Sequence, residues 1–320
     1  MPKFDLKLRK YINKLEKAEL HIHIEGSFEP ADMLRIARRN NIAIPYGNVE
    51  EIKQAYQFNN LQDFLNIYYQ GMNVLREELD YYELTMGYLK RAKADNCKHV
   101  EIFFDPQGHT LRGVHFETVF MGIKKALDEA KTFGLTSKLI MCFLRHLDEK
   151  DAFKTLQEAE PYLEHICGVG LDSSELGHPP SKFQNVFREA RILGLHTVAH
   201  AGEEGPPEYI WEALDLLRVE RIDHGNRAME DQKLIDRLVE EKIPLTVCPL
   251  SNLKLGVISD IKDHPIKKML DLGLNVTINS DDPAYFGGYI NDNYIEVAEC
   301  LNLSKSDLQQ IADNSIKASF

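Results

Sequence analysis

His21, His23, His200, Glu203, His224, Asp281 and Asp282 are of types that bind metals or move protons, and they fall in four short motifs: His21-Ile22-His23, His200-Ala201-Gly202-Glu203, Asp223-His224-Gly225 and Ser280-Asp281-Asp282-Pro283. Side chains alternate across a strand, so His21 and His23 share a face and can chelate one ion while Ile22 points away. Each motif alone has a plain structural reading: two hydrogen-bonded histidines, a strand cap, a glutamate placed for a helix dipole, an Asp-Asp-Pro turn. Together they place imidazoles or carboxylates at the ends of four separate strands, which independent accidents do not explain.

The chemistry this set suits is metal-assisted hydrolysis. His21, His23, His200 and Asp281 supply three imidazoles and a carboxylate, a zinc ligand set that leaves a position for water, whose pKa the ion lowers toward neutrality. Glu203 lies three residues beyond His200, past the strand, and suits a proton-transferring acid; His224 can steer or deprotonate the water. Asp281 and Asp282 are adjacent and cannot aim alike, so Asp281 is assigned to the metal and Asp282 to a substrate hydrogen bond.

Something must bring these strand ends to one place. Short apolar or β-branched runs at 18–24, 99–104, 138–144, 166–171, 195–199, 221–223, 243–248 and 275–279 predict eight strands. Helical patterns at 114–131, 152–165, 182–193, 209–217, 232–240 and 266–272 alternate with them. With no linker or low-complexity tract, the alternation predicts an α/β chain forming one domain over 1–320, a (β/α)8 barrel of the TIM type, with an open doubly wound sheet as the competitor. Barrel enzymes carry catalytic groups at the C-terminal ends of their strands, where all four motifs lie. Residues 29–94 are expected to be a helical insertion after the first strand, and 297–320 two closing helices, the second started by Ser304 and Asp307.

The 320 residues carry 38 Lys+Arg against 50 Asp+Glu, a formal charge of -12, which opposes binding to nucleic acid. Five cysteines without a C-x-x-C pair read as reduced thiols of a cytoplasmic protein. Residues 1–10 mix charges with single apolar residues, and no apolar run reaches the length of a membrane span, so neither targeting segment nor membrane partner is expected. A homo-oligomer remains open.

At AELHIHIEGS (18–27), HAGE (200–203), RIDHG (221–225), SDDP (280–283) and the ending LSKSDLQQIADNSIKASF (303–320), the chain resembles the adenosine and adenine deaminase family. The resemblance implies one zinc at His21, His23, His200 and Asp281, Glu203 as proton donor to the purine ring, His224 beside the attacking water and Asp282 at N7. It implies hydrolytic removal of the C6 amino group as ammonia, a step of purine salvage. LDSSELGHPPSKF (171–183) and SDDPAYFGGY (280–289) are similar to the adenine-specific branch. Free adenine has an N9–H that a nucleoside lacks, and Glu175 is the expected acceptor for it. FNNLQDFL (58–65) is the expected lid. Adenosine or an N6-substituted adenine are the neighbouring alternatives. A two-metal amidohydrolase lacks its bridging lysine where the chain reads Leu171-Asp172-Ser173-Ser174, and an inactive purine binder would not need every position filled. The H-x-E and P-C-x-x-C signature of nucleic-acid deaminases is absent.

Overall fold

The structure, a computed structural model, describes residues 6–320. Eight parallel strands follow one another around a barrel in chain order: β1 (Lys17–His23), β2 (Cys97–Phe104), β3 (Thr136–Leu144), β4 (Gly168–Asp172), β5 (His196–Ala201), β6 (Arg221–His224), β7 (Pro244–Val247) and β8 (Asn275–Ile278). Their apolar runs are buried on both faces, as parallel strands between a core and a helical ring must be. Closure between β8 and β1 falls beyond the end of β8. The Asp281 N–H donates to the His21 carbonyl at 3.1 Å, and the His23 N–H donates to the Asp281 carbonyl at 3.0 Å. The eight-stranded barrel expected from the sequence is therefore the fold, and the open-sheet alternative is not.

The barrel interior beneath the histidines is filled. Phe103, Ile140, Cys142 and Val198 form a separate apolar cluster with Phe320 against it. Beside it the buried Arg221 and Glu101 pair at 2.7 Å, and the Phe320 ring stacks on His196 with centroids 4.0 Å apart.

Helix α1 (Leu6–Lys14) precedes the barrel, and α2 (Pro30–Arg39), α3 (Val49–Ala55), α4 (Leu61–Met72) and α5 (Glu78–Ala94) lie between β1 and β2. Asn60 caps α4 by accepting from the Asp63 N–H at 2.9 Å, which fixes where Phe64 and Tyr68 fall. The closing helices run over Ile290–Cys300 and Lys305–Lys317, the second with its Ser304–Asp307 capping box. The first starts at Ile290 rather than Val297 because Asp292 accepts from the Tyr289 N–H and sets an earlier start. Three short helices have no counterpart in the apolar pattern: Pro106–Thr110, Pro249–Lys254 and Pro283–Phe286, each opened by a proline in the segment that follows a strand. Among the described residues no helix is long and apolar enough to cross a membrane.

Candidate active site

The four motifs meet at the C-terminal mouth of the barrel. His21 and His23 lie on the same side of β1, and their Nε2 atoms stand 3.2 and 3.5 Å from Asp281 Oδ1. His200, near the end of β5, brings its Nε2 to 3.1 Å from His23 Nε2. His224, ending β6, places its Nε2 3.8 Å from the other Asp281 oxygen and 3.5 Å from Glu203 Oε2. His21, His200, His224 and Asp281 offer atoms that all lie within 4.8 Å of one another.

This donor set fits a cation. His21 Nε2 is buried without a hydrogen-bond partner, and the His23 and His200 nitrogens face each other at a distance that a shared positive ion explains better than two imidazole lone pairs do. What lies behind the rings separates the histidines. His21 Nδ1 is 2.9 Å from Thr246 Oγ1, whose hydroxyl in turn donates to Asp223. His23 Nδ1 is 3.5 Å from Asp172, and His200 Nδ1 is 3.5 Å from Asp223. An oxygen behind Nδ1 is the usual support of a metal-binding imidazole; neither His200 Nδ1 nor His224 Nδ1 makes a hydrogen bond, but His200 has the Asp223 carboxylate 3.5 Å behind it. Three histidines thus suit the ion, and His224 faces Glu203.

Electrostatics divide the acids. Burial, then the neighbouring imidazoles, hold His200 well below the usual histidine range, so it is neutral as a ligand must be. Burial pushes His224 down to about 3. Glu203 is raised well above the carboxylate range by burial and then by the Asp281 charge, and Asp282 is raised by the same two causes. Asp281, itself opposed by burial, is held well below that range by the facing histidines. Burial and the neighbouring charge thus favour the neutral form of Glu203 and Asp282, and the imidazoles favour the charged form of Asp281.

Backbone geometry aims these groups. Ser173, His224 and Asp281, just past or at the ends of β4, β6 and β8, are non-glycine residues at φ of 73°, 64° and 63°. Gly26 lies so close to Asp282 that a Cβ there would meet the Asp282 Oδ1 at 1.9 Å.

One expectation is corrected. Glu175 does not face the cavity: its Oε1 accepts from the Gly202 N–H at 2.7 Å, and its Oε2 accepts from the N–H groups of Glu203, Glu204 and Gly205 at 3.1, 2.8 and 2.8 Å. A carboxylate saturated by four amides has nothing left for a purine N–H; Glu175 instead holds the loop that carries Glu203.

Above the donor cluster is a cavity roofed by Leu61, Phe64, Leu65 and Tyr68 of α4 with Leu255 and Phe286. Asp105, at the end of β2, and Asp172, ending β4, also line it, and the sequence reading gave neither a role. Asp105 stands in Phe104-Asp105-Pro106, the same carboxylate-before-proline pattern after a strand as Asp282-Pro283, which is the signal that would have found it.

A profile of the adenosine deaminase family matches residues 16–320. The chain belongs to the adenosine deaminase family. It is 62% identical over 311 residues to a Sphingopyxis alaskensis protein named adenine deaminase, with 97% of this chain and 91% of that one covered. A protein of the same name from Acinetobacter baylyi is 61% identical over 310 residues, covering 97% and 93%. Among solved structures, the adenine deaminase of Arthrobacter aurescens superposes with a TM-score of 0.94 at 48% identity, covering 96% of this chain and 94% of its own. An amidohydrolase from Burkholderia ambifaria with bound Zn gives 0.91 at 26% identity, covering 99% and 89%. This member of the deaminase family is an enzyme by that kinship.

Proposed function

We propose that this protein is a zinc-dependent adenine deaminase of the cytoplasm, converting adenine and water to hypoxanthine and ammonia in purine salvage. The observation that carries the reading is a metal-donor cluster flanked by two buried carboxyl groups, Glu203 and Asp282, in the wall of one cavity. The kinship with proteins named adenine deaminase supports the choice of base, and free, unpaired cysteines support a reducing compartment.

His21, His23, His200 and Asp281 would hold the zinc, which when bound polarises a water and makes it nucleophilic near neutral pH. The protein's own groups then manage the protons. His224, a neutral imidazole facing both Asp281 and Glu203, accepts one proton as the water oxygen adds to C6. Glu203, held protonated, gives its proton to the ring nitrogen beside C6, so negative charge does not accumulate on the purine. As the C6–N bond breaks, one water proton leaves on ammonia and the other restores Glu203. Asp282, also protonated, donates to N7, an acceptor, and fixes the ring plane. The roof of α4 keeps bulk water from the intermediate.

The test is to load the purified protein with zinc and supply adenine, adenosine and an N6-alkyladenine separately, following absorbance and ammonia, with metal content measured on the same sample. Rapid release of ammonia from adenine, with about one zinc per chain, is expected. Preference for adenosine or the alkylated base would overturn the substrate assignment, and full activity after metal removal would overturn the cofactor.

A further inference from the structure

We propose that Asp105 is the residue that selects the free base, its carboxylate accepting the N9–H that adenine has and an N9-substituted purine lacks. This rests on the reading above that the substrate is a 6-aminopurine bound with C6 at the donor cluster.

Asp105 is 2% exposed and lines the cavity. The Tyr68 hydroxyl donates to its Oδ2 at 3.2 Å, while Oδ1 is buried with no partner. A buried, unpartnered carboxylate oxygen at a cavity wall calls for an N–H donor from whatever fills the cavity. An oxygen of Asp105 also lies within 4.8 Å of an Asp172 oxygen. Two carboxyl groups so near each other in a dry wall are relieved by a donor placed beside them.

The other polar groups of the cavity are committed elsewhere. Asp172 makes no hydrogen bond either, but its Oδ2 is turned to the His23 ring at 3.5 Å, the Ser173 hydroxyl is 2.9 Å from Tyr69 Oη, and Glu203, His224 and Asp282 serve the C6 and N7 positions. The Tyr68 ring, whose hydroxyl bonds Asp105, packs with its centroid 5.9 Å from that of Tyr285, three residues beyond Asp282, which sets Asp105 toward the Asp282 side of the cavity and so toward the five-membered ring that carries both N7 and N9.

Asp105 is also held firmly, as a selecting group must be. Its N–H donates to Glu25 Oε1 at 3.2 Å, and the same oxygen is 2.8 Å from His109 Nε2. His109 Nδ1 faces the Arg112 guanidinium at 2.6 Å and the Tyr81 hydroxyl at 2.9 Å. Arginine is a donor only, so Nδ1 accepts and Nε2–H donates to Glu25. Glu25, His109 and Arg112 are thus positioning residues for Asp105.

The experiment compares adenine with 9-methyladenine in the zinc-loaded wild type, Asp105→Ala and Asp105→Asn, with melting temperature and zinc content as controls. The wild type is expected to prefer adenine by on the order of 10⁴ in kcat/KM, the discrimination of a site built around a substrate N–H. Asp105→Ala is expected to lose roughly 100-fold or more on adenine but little on 9-methyladenine, so that the preference collapses. Asp105→Asn, nearly isosteric and still a carbonyl acceptor, should fall between them and serves if the alanine variant does not fold. An equal loss on both substrates, or an unchanged preference in the asparagine variant, overturns the proposal. Failure of the wild type to deaminate adenine would instead overturn the substrate reading on which it rests.

Discussion

Replacing Glu175 by glutamine tests how the loop bearing Glu203 is held. The carboxylate takes one amide on Oε1 and three on Oε2. A glutamine has one acceptor. If its carbonyl keeps the three-donor side, its NH2 is turned against the Gly202 N–H, donor to donor. The unpaired amide costs about 1–3 kcal/mol, and loss of the negative charge weakens each remaining bond, for a total of about 3 kcal/mol. Unfolding entropy of about 2 cal/mol/K per residue makes this a fall of about 4–5 °C in melting temperature for a chain of this length. Glu203 is carried on the same loop, so displacing it by part of an ångström is expected to lower kcat about 10–100-fold with KM little changed. Calorimetry and steady-state deamination of adenine measure both. If the melting temperature holds and KM alone rises, Glu175 touches the substrate after all and the reasoning is refuted.

Three other outcomes are expected. Gly26→Ala pushes Asp282 off its position and should cost about 100-fold in kcat/KM for adenine while zinc content stays normal; retained activity would show that Asp282 can move freely. Glu203→Gln should lower kcat by about 10²–10⁴. Because burial raises the Glu203 pKa and its protonated form acts, wild-type kcat should fall on the alkaline side, and the variant should lose that limb. Burial opposes the charge of Glu101, but Arg221 at 2.7 Å overrides it and pulls the pKa from 4.5 down to about 2. A depressed carboxylate stabilises above its unfolded pKa, so about 3 kcal/mol is present above pH 4.5 and lost as pH falls toward 2. Glu101→Gln should flatten acid unfolding over that window.

The barrel was legible because its strands are β-branched runs separated by amphipathic stretches, and the donor residues because each lies at a strand end inside a short motif. His21-Ile22-His23 states its own geometry: two residues apart on a strand is one face. Glu175 does not. A loop carboxylate looks the same in sequence whether it meets a purine or the amides of 202–205, and only the packing of the loops after β4 and β5 distinguishes them. Asp172 is hidden for a similar reason, since an aspartate ending an apolar run is an ordinary strand terminus until the cavity shows what it faces, and Asp105 differs from it only in standing before Pro106, as Asp282 stands before Pro283. The short helices at Pro106, Pro249 and Pro283 are too brief to show a period, and the start of the helix at Ile290 depends on a cap rather than on its apolar pattern.

The left-handed residues at β4, β6 and β8 connect the fold to its chemistry. Positive φ in a residue with a side chain is tolerated where neighbouring structure fixes it, at a cost of order 1–3 kcal/mol. For Asp281 that structure is β1 itself: its N–H is held by the His21 carbonyl and its carbonyl by the His23 N–H. The contacts that close the barrel therefore also set the carboxylate at 3.2 and 3.5 Å from the two imidazoles of the same strand. The strain is offset by barrel closure, and the donor set is preorganised by the backbone rather than by a mobile loop. Substitutions of the Asp281 side chain should then remove a ligand without opening the barrel, whereas disturbance of the backbone at 279–281 should loosen both together.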